Sequence, residues 1–257
     1  MDLSSEFNDL LPICPHGPLF IAGPCSAETE EQLVTTAKGL YAAGIRMMRA
    51  GIWKPRTRPG GFEGAGDRGL EWMKTVKQET GMQLAVEVAT PVHVEKALAA
   101  GVDLCWVGAR TTCDPFAVQA LADVLRGVDI PVLVKNPICA DVNLWLGAFE
   151  RIHNAGVRRL GAIHRGFFST TVQQYRNAPM WEVVEQFRHL IPQLPILFDP
   201  SHTGGKRCYI RPLVTEAMSR GYDGLIVESH CRPDEAWTDA TQQVTPECLG
   251  EILHDYF

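Results

Sequence analysis

No stretch of this chain approaches the roughly 18 to 20 consecutive apolar residues that a membrane-spanning helix needs, which argues against a membrane partner. The opening "MDLSSEFNDLL" has acidic residues where a secretion signal would carry basic ones. The eight cysteines form no CxxC pair and no small-scaffold framework, so they read as reduced thiols and the expected compartment is the cytoplasm. A basic excess is missing as well. With 24 Lys and Arg against 30 Asp and Glu, the net charge of -6 speaks against a general nucleic-acid or membrane-surface binder. Any basic site must then be a local concentration in an acidic protein, which favours a small anionic substrate.

What is present is a regular alternation, with no linker or low-complexity segment. Eight short β-rich runs stand out: "LFIAG" (19–23), "IRMMRAG" (45–51), "QLAVEVA" (83–89), "DLCWVGA" (103–109), "PVLVKN" (131–136), "RLGAIHRG" (159–166), "PILFDPS" (195–201) and "GLIVES" (224–229). Between them lie stretches such as "EEQLVTTAKGLYAAG" and "NLWLGAFERIHNAG", with apolar residues at helical three- and four-residue spacing and a closing glycine. The last helix is read in "TPECLGEILHDYF". Eight strands, each followed by a helix, predict a single (β/α)8 TIM barrel over 19–257, with 1–18 as a short N-terminal extension. An open doubly wound sheet would usually carry GxGxxG after its first strand, and "IAGPCSAE" is not that fingerprint.

The segment "GIWKPRTRPGGFEG" (51–64) holds Lys54, Arg56 and Arg58 beside two prolines and four glycines. Proline removes a donor and glycine is costly to order, so this is a loop carrying three cations. Barrel active sites form at the C-terminal ends of the strands. Reading each run at that position gives Cys25, Arg49, Glu87, Arg110, Lys135, Arg165, Asp199 with His202, and Glu228 with His230. Arg49, Lys54, Arg110, Lys135 and Arg165 form a cationic half suited to phosphate and carboxylate. Arg56 and Thr57 add a second oxyanion site, so two anionic groups or two substrates are expected. Cys25, His202, Glu228 and Asp239 combine thiolate, imidazole and carboxylates, a mixture that suits a divalent transition metal with an open position. Taken singly, each has an ordinary reading: Cys25 as a small buried apolar residue, His202 as a loop hydrogen-bonder, Asp239 as a helix N-cap. Their convergence on one barrel face carries the inference.

The motifs "GPCSAE" (23–28), "KPRT" (54–57), "GAR" (108–110), "HRGF" (164–167), "DPSH" (199–202) and "TDATQQ" (238–243), in this order, closely resemble the 3-deoxy-D-arabino-heptulosonate 7-phosphate synthases, type I, beta subgroup. The resemblance runs from about residue 19 to the end. It implies condensation of phosphoenolpyruvate with erythrose 4-phosphate, the first step of the shikimate pathway. It also implies a divalent metal (Mn2+ first, with Co2+, Fe2+ or Zn2+ as alternatives) on Cys25, His202, Glu228 and Asp239, acting as Lewis acid on the aldehyde oxygen. Arg49, Lys54, Arg110, Lys135 and Arg165 match positions that hold phosphoenolpyruvate, and Arg56 and Thr57 those for the sugar phosphate. Lys54, Glu87, Lys135 and His202 are the candidate catalytic residues: Glu87, or a water it orients, for the addition, with Lys135 or His202 as competitors for proton transfer.

One departure stands out. Lys135 is followed by "NPICADVNLW", where many relatives have glycine soon after the lysine, so the loop is expected to take a different shape. The nearest rival is the sister synthase that uses arabinose 5-phosphate; it usually carries an asparagine before the arginine of "KPRT", and Cys25 argues against its metal-independent forms. An aldolase of another barrel family would not need so many cations. A non-catalytic sugar-phosphate sensor would have little reason to keep four metal ligands. The resemblance further implies a homo-oligomer and, in some relatives, a chorismate mutase or regulatory domain as partner. With about 18 residues before the first strand, no built-in allosteric domain is expected.

Overall fold

The computed structural model describes residues 7–13, 17–54, 60–171 and 174–257. Eight parallel strands pair in chain order: β1 (Leu19–Gly23), β2 (Met47–Ala50), β3 (Gln83–Val88), β4 (Leu104–Val107), β5 (Val132–Lys135), β6 (Leu160–His164), β7 (Ile196–Phe198) and β8 (Gly224–Glu228). The ring closes where Ile21 of β1 aligns with Ile226 of β8 on one side and Met47 of β2 on the other. The (β/α)8 barrel read from the alternation is therefore the fold.

Strand side chains alternate between the two faces of a sheet, and the sequence uses that period twice. Ile21, Met47, Ala85, Leu104, Leu133, Ile163, Leu197 and Ile226 point inward and form an apolar layer inside the barrel. Their neighbours Ala22, Met48, Val86, Cys105, Val134, Ala162, Phe198 and Val227 point outward into a second core beneath the helices. Those helices are α1 (Glu30–Ala42), α2 (Asp67–Thr80), α3 (Pro91–Ala99), α4 (Ala109–Thr112), α5 (Pro115–Leu125), α6 (Val142–Asn154), α7 (Trp181–Leu190), α8 (Pro200–Gly204), α9 (Ile210–Ser219) and α10 (Pro246–Leu253). Thr29, Thr90, Asp114, Asp141 and Thr245 cap five of them, each side chain accepting a backbone N–H of the first turn. No helix among the described residues is long and apolar enough to cross a membrane.

Two boundaries differ from the sequence reading. The run "PILFDPS" stays extended only to Phe198. Pro200 cannot donate to a ladder but suits the first turn of a helix, so Asp199 leaves the strand and caps α8, accepting from the His202 N–H at 2.9 Å. Likewise β4 passes straight into α4, which places Arg110 on a short helix rather than at a strand end.

Below the barrel, Ile13 and Leu19 pack against the inner apolar layer, and Phe7 is fully buried. Leu11 N–H donates to Arg158 O at 2.9 Å, and Asp9 pairs with Arg158 and His153. Residues 7–13 thus lie against the end opposite the ring of charges. His164, from "HRGF", faces outward and is wholly buried: its Nδ1 lies 2.7 Å from Tyr222 Oη and its Nε2 2.7 Å from Pro179 O. Burial above all pulls its pKa down to about 3, so it is a neutral core residue.

Candidate active site

Two residues beyond the inner apolar layer, the same strands turn Arg49, Glu87, Lys135, Asp199 and Glu228 into the barrel mouth. Cys25 follows β1, its N–H held by Gln243 Oε1 at 3.0 Å. Lys54 reaches over it, with Nζ 2.9 Å from Cys25 O and 3.0 Å from Cys25 Sγ. That approach requires glycine at 51, where a Cβ would stand 2.1 Å from Cys25 O and 3.1 Å from Lys54 Nζ. A Cβ on Gly108 would similarly lie 2.2 Å from Glu87 Oε1.

Three predicted metal ligands come together. The ligand atoms of Cys25, Glu228 and Asp239 all lie within 4.8 Å of one another, with Cys25 Sγ 3.4 Å from Asp239 Oδ2. His202 stands beside this trio, its Nε2 3.6 Å from Glu228 Oε1. Asp239 is not a helix cap. It sits in a turn at φ 48°, and Thr245 caps the following helix. A positive φ outside glycine is uncommon, although Asp tolerates it better than most residues.

The donor set fits a divalent cation. Glu228 is fully buried; Gln242 Nε2 donates to its Oε2 at 2.6 Å, while Oε1 has no hydrogen-bond partner among the described residues. Burial, reinforced by the Glu228 charge and opposed by Lys54, pushes the Cys25 thiol up to about 12. A bound transition metal is what would hold this sulfur as thiolate. Burial raises Glu228, but His202 and then Arg49 outweigh it, leaving its pKa below the ordinary value. Asp239 is shifted the same way: burial raises it, and Arg176 leads the cations that bring it down. Sulfur, imidazole and carboxylate donors together suit a transition metal better than magnesium or calcium.

The cationic half adjoins this cluster. Arg49 is buried over the Trp106 ring at 5.1 Å, with Nη2 3.6 Å from Glu228 Oε1 and 3.5 Å from Cys25 O. Its Nε and Nη1 are buried with no hydrogen-bond partner among the described residues, leaving donors of a kind that could bind an oxyanion. Lys135 Nζ lies 2.9 Å from Asp199 Oδ2, which is also 2.8 Å from His202 Nδ1. Asp199 therefore fixes both groups. Burial raises its pKa, but His202 first and Lys135 second hold it well below the ordinary carboxylate value. For Lys54 burial acts downward, yet Cys25 and Glu228 prevail and raise it. Burial brings the Arg165 guanidinium down to about 10, against the pull of Asp199. Arg110 is exposed at the rim. Arg56 and Thr57 lie outside the described residues.

Several participants were not assigned from sequence. Arg176 Nη1 donates to Asp239 Oδ1 at 3.2 Å and to Gln242 Oε1 at 2.8 Å, from far along the loop after β6 and outside the quoted motifs. Trp106 donates to Glu87 Oε2 at 3.1 Å while supporting Arg49. Asn136 joins two loops: its Oδ1 accepts from Arg165 N–H at 2.7 Å and its Nδ2 donates to Gly166 O at 2.9 Å. Asn136 thereby ties the segment after Lys135 to the loop after β6. His230, counted in the ring, instead faces Glu28, with Nε2 to Oε2 at 3.5 Å. A cavity of about 590 Å³ lined by Glu28, Phe62, Arg68, Trp72 and Trp237, among others, includes none of the predicted site residues. The polar barrel mouth, where the chemical groups converge, is the better candidate.

Comparison with known proteins agrees with this geometry. The DAHP synthetase I family profile matches residues 16–256. Phospho-2-dehydro-3-deoxyheptonate aldolase of Thermotoga maritima is 32% identical over 237 residues, covering 91% of this chain and 68% of that protein. The crystal structure of the Thermotoga maritima DAHP synthase matches with a TM-score of 0.85 at 30% identity, over 98% of this chain and 74% of that one. A 2-dehydro-3-deoxyphosphooctonate aldolase of Nitratidesulfovibrio vulgaris is 26% identical, covering 91% of this chain and 89% of that protein. With a barrel, a ring of charges and a matched profile that all span nearly the same residues, this chain belongs to the DAHP synthetase I family.

Proposed function

We propose that this chain condenses phosphoenolpyruvate with erythrose 4-phosphate to give 3-deoxy-D-arabino-heptulosonate 7-phosphate and inorganic phosphate, opening the shikimate pathway. Family membership and the Thermotoga relative support the reaction. The observation that carries it is one buried layer in which Nε and Nη1 of Arg49 and Oε1 of Glu228 all lack a hydrogen-bond partner among the described residues. One face awaits an anion and the other a cation.

In this reading Arg49, Lys54, Arg110, Lys135 and Arg165 hold the phosphate and carboxylate of phosphoenolpyruvate, and Arg56 and Thr57 hold the sugar phosphate. Two phosphorylated reactants repel, and fixed cations offset that repulsion while orienting them for attack. Cys25, His202, Glu228 and Asp239 hold the divalent metal, Mn2+ by preference, which when bound supplies Lewis acidity at the aldehyde oxygen. With its Nδ1 on Asp199 and its Nε2 toward Glu228, His202 is committed to ligation. Lys135 is then the better group to move a proton. Trp106 fixes Oε2 of Glu87, and this carboxylate orients the water that adds at C2 before phosphate leaves by C–O cleavage. The setting is the cytoplasm, with the chain as a homo-oligomer whose regulatory partner, where one exists, is a chorismate mutase or added domain. Residues 1–18 serve as an extension of the 19–257 barrel.

The test is product identification by mass after incubating phosphoenolpyruvate and Mn2+ with erythrose 4-phosphate or arabinose 5-phosphate. A seven-carbon product from the first sugar alone is expected. An eight-carbon product would move the assignment to the sister synthase.

A further inference from the structure

The segment after Lys135, "NPICADVNLW", carries a cysteine at 139. Its side chain is exposed, and the half-buried Cys113 is near enough to help raise its pKa. The backbone fixes this meeting. Cys113 Sγ accepts the Ile138 N–H at 3.3 Å and donates to Ala109 O at 3.2 Å. Ile138 O in turn accepts the Phe168 N–H at 2.8 Å. Cys113 thus ends the helical turn that carries Arg110. Cys139 lies four residues past Lys135, on a segment tied to the loop after Arg165.

We propose that Cys113 and Cys139 are a dithiol modification site, oxidised by a small disulfide such as oxidised glutathione to an intramolecular disulfide that locks the Arg110 and Lys135 loops together. The exposed Cys139 thiolate attacks the reagent disulfide, forming a mixed disulfide and releasing one reagent thiolate. Cys113 thiolate then attacks the Cys139 sulfur, the second reagent thiolate leaves, and the protein S–S bond forms. Two electrons and two protons pass from the protein thiols to the reagent, which ends as two thiols. Burial first, and then the Cys113 neighbour, hold the Cys139 thiol above its ordinary value, so the first step accelerates with rising pH. The consequence for turnover rests on the proposed condensation, because both loops carry cations assigned there to phosphoenolpyruvate.

Trypsin makes the site readable. Peptides 111–126 and 136–151 each contain one cysteine, Cys113 and Cys139. The purified full chain is incubated with oxidised glutathione at pH 8, digested without reductant, and weighed. A linked 111–126/136–151 species is expected, absent from Cys139→Ser, with turnover falling about tenfold as the loops shift and returning on addition of dithiothreitol. Glutathione stably attached at Cys139 with no linked species would overturn the dithiol. Linked peptides with unchanged turnover in an active enzyme would overturn the lock. The mass readout stands even if the enzyme consumes other substrates, so failure of this site and failure of the proposed reaction are told apart.

Discussion

The inside of this barrel has two layers built from the same strands, two residues apart, and they follow opposite rules. Ile21, Met47, Ala85, Leu133, Leu197 and Ile226 fill the lower layer with apolar groups that need no partner. Directly above them, Arg49, Glu87, Lys135, Asp199 and Glu228 crowd charge into a space nearly as dry, since Arg49, Lys135, Asp199 and Glu228 are all buried. The lower layer stabilises by removing apolar area from water. The upper one carries a desolvation cost that Lys135–Asp199 pairing only partly offsets, and it leaves Arg49 and Glu228 atoms without a hydrogen bond among the described residues. A fold would not gain stability from such a layer. Those atoms suit the substrate and metal contacts proposed for the site.

That contrast can be broken at several points. Cys25→Ala should abolish metal-dependent turnover, a loss of about 10³-fold or more, while circular dichroism stays native; full activity would remove Cys25 from the metal site. Lys135→Met should lower kcat by about 10²- to 10³-fold and cost about 3–5 kcal/mol by weakening the compensation of buried Asp199. Adding Asp199→Asn should recover stability in urea titration but not turnover. In the lower layer, Leu133→Ala should cost about 2–5 kcal/mol and leave kcat at 25 °C nearly unchanged, so that a similar loss of stability reaches turnover only from the position two residues on. Arg56→Ala should raise KM for erythrose 4-phosphate by about tenfold, the loss of one charge-assisted contact, with little change for phosphoenolpyruvate. Equal effects on both would refute the loop assignment.

The smallest effect concerns the outer core. His164 is neutral in the fold, with its pKa lowered to about 3. Its contribution is therefore complete above the unfolded-state value of about 6.5 and drains away as pH falls toward 3, at about 1.4 kcal/mol per pH unit. Urea midpoints at pH 7 and pH 5 should show a shallower loss in His164→Asn than in the unaltered chain. An identical slope would mean that the histidine is protonated inside the fold.

The ring of charges could be read from sequence because the strand–helix alternation marks eight strand ends, where barrel sites form, and Lys135 and Glu228 stand there; the strand period of two puts them on the face of Leu133 and Ile226. Strand order was legible for the same reason. Short helices were not. Pro200 and the immediate turn at Ala109 end β7 and β4 within a residue or two, too short a span for periodicity to register. Arg176 was invisible because its role depends on two loops, 63 residues apart in sequence, meeting at Asp239. Asp239 itself offered a helix-cap reading that its left-handed turn removes. The pairing of Cys113 with Cys139 likewise belongs to loop packing, to which no local pattern points.

The most direct test is the loss of phosphoenolpyruvate absorbance with erythrose 4-phosphate, using chelator-stripped protein before and after Mn2+ is added. Consumption that begins only with the metal, and is absent in Cys25→Ala, is the predicted result. Equal consumption by the stripped protein, or none in either state, would contradict a mouth layer built for one metal and one phosphorylated enol acid.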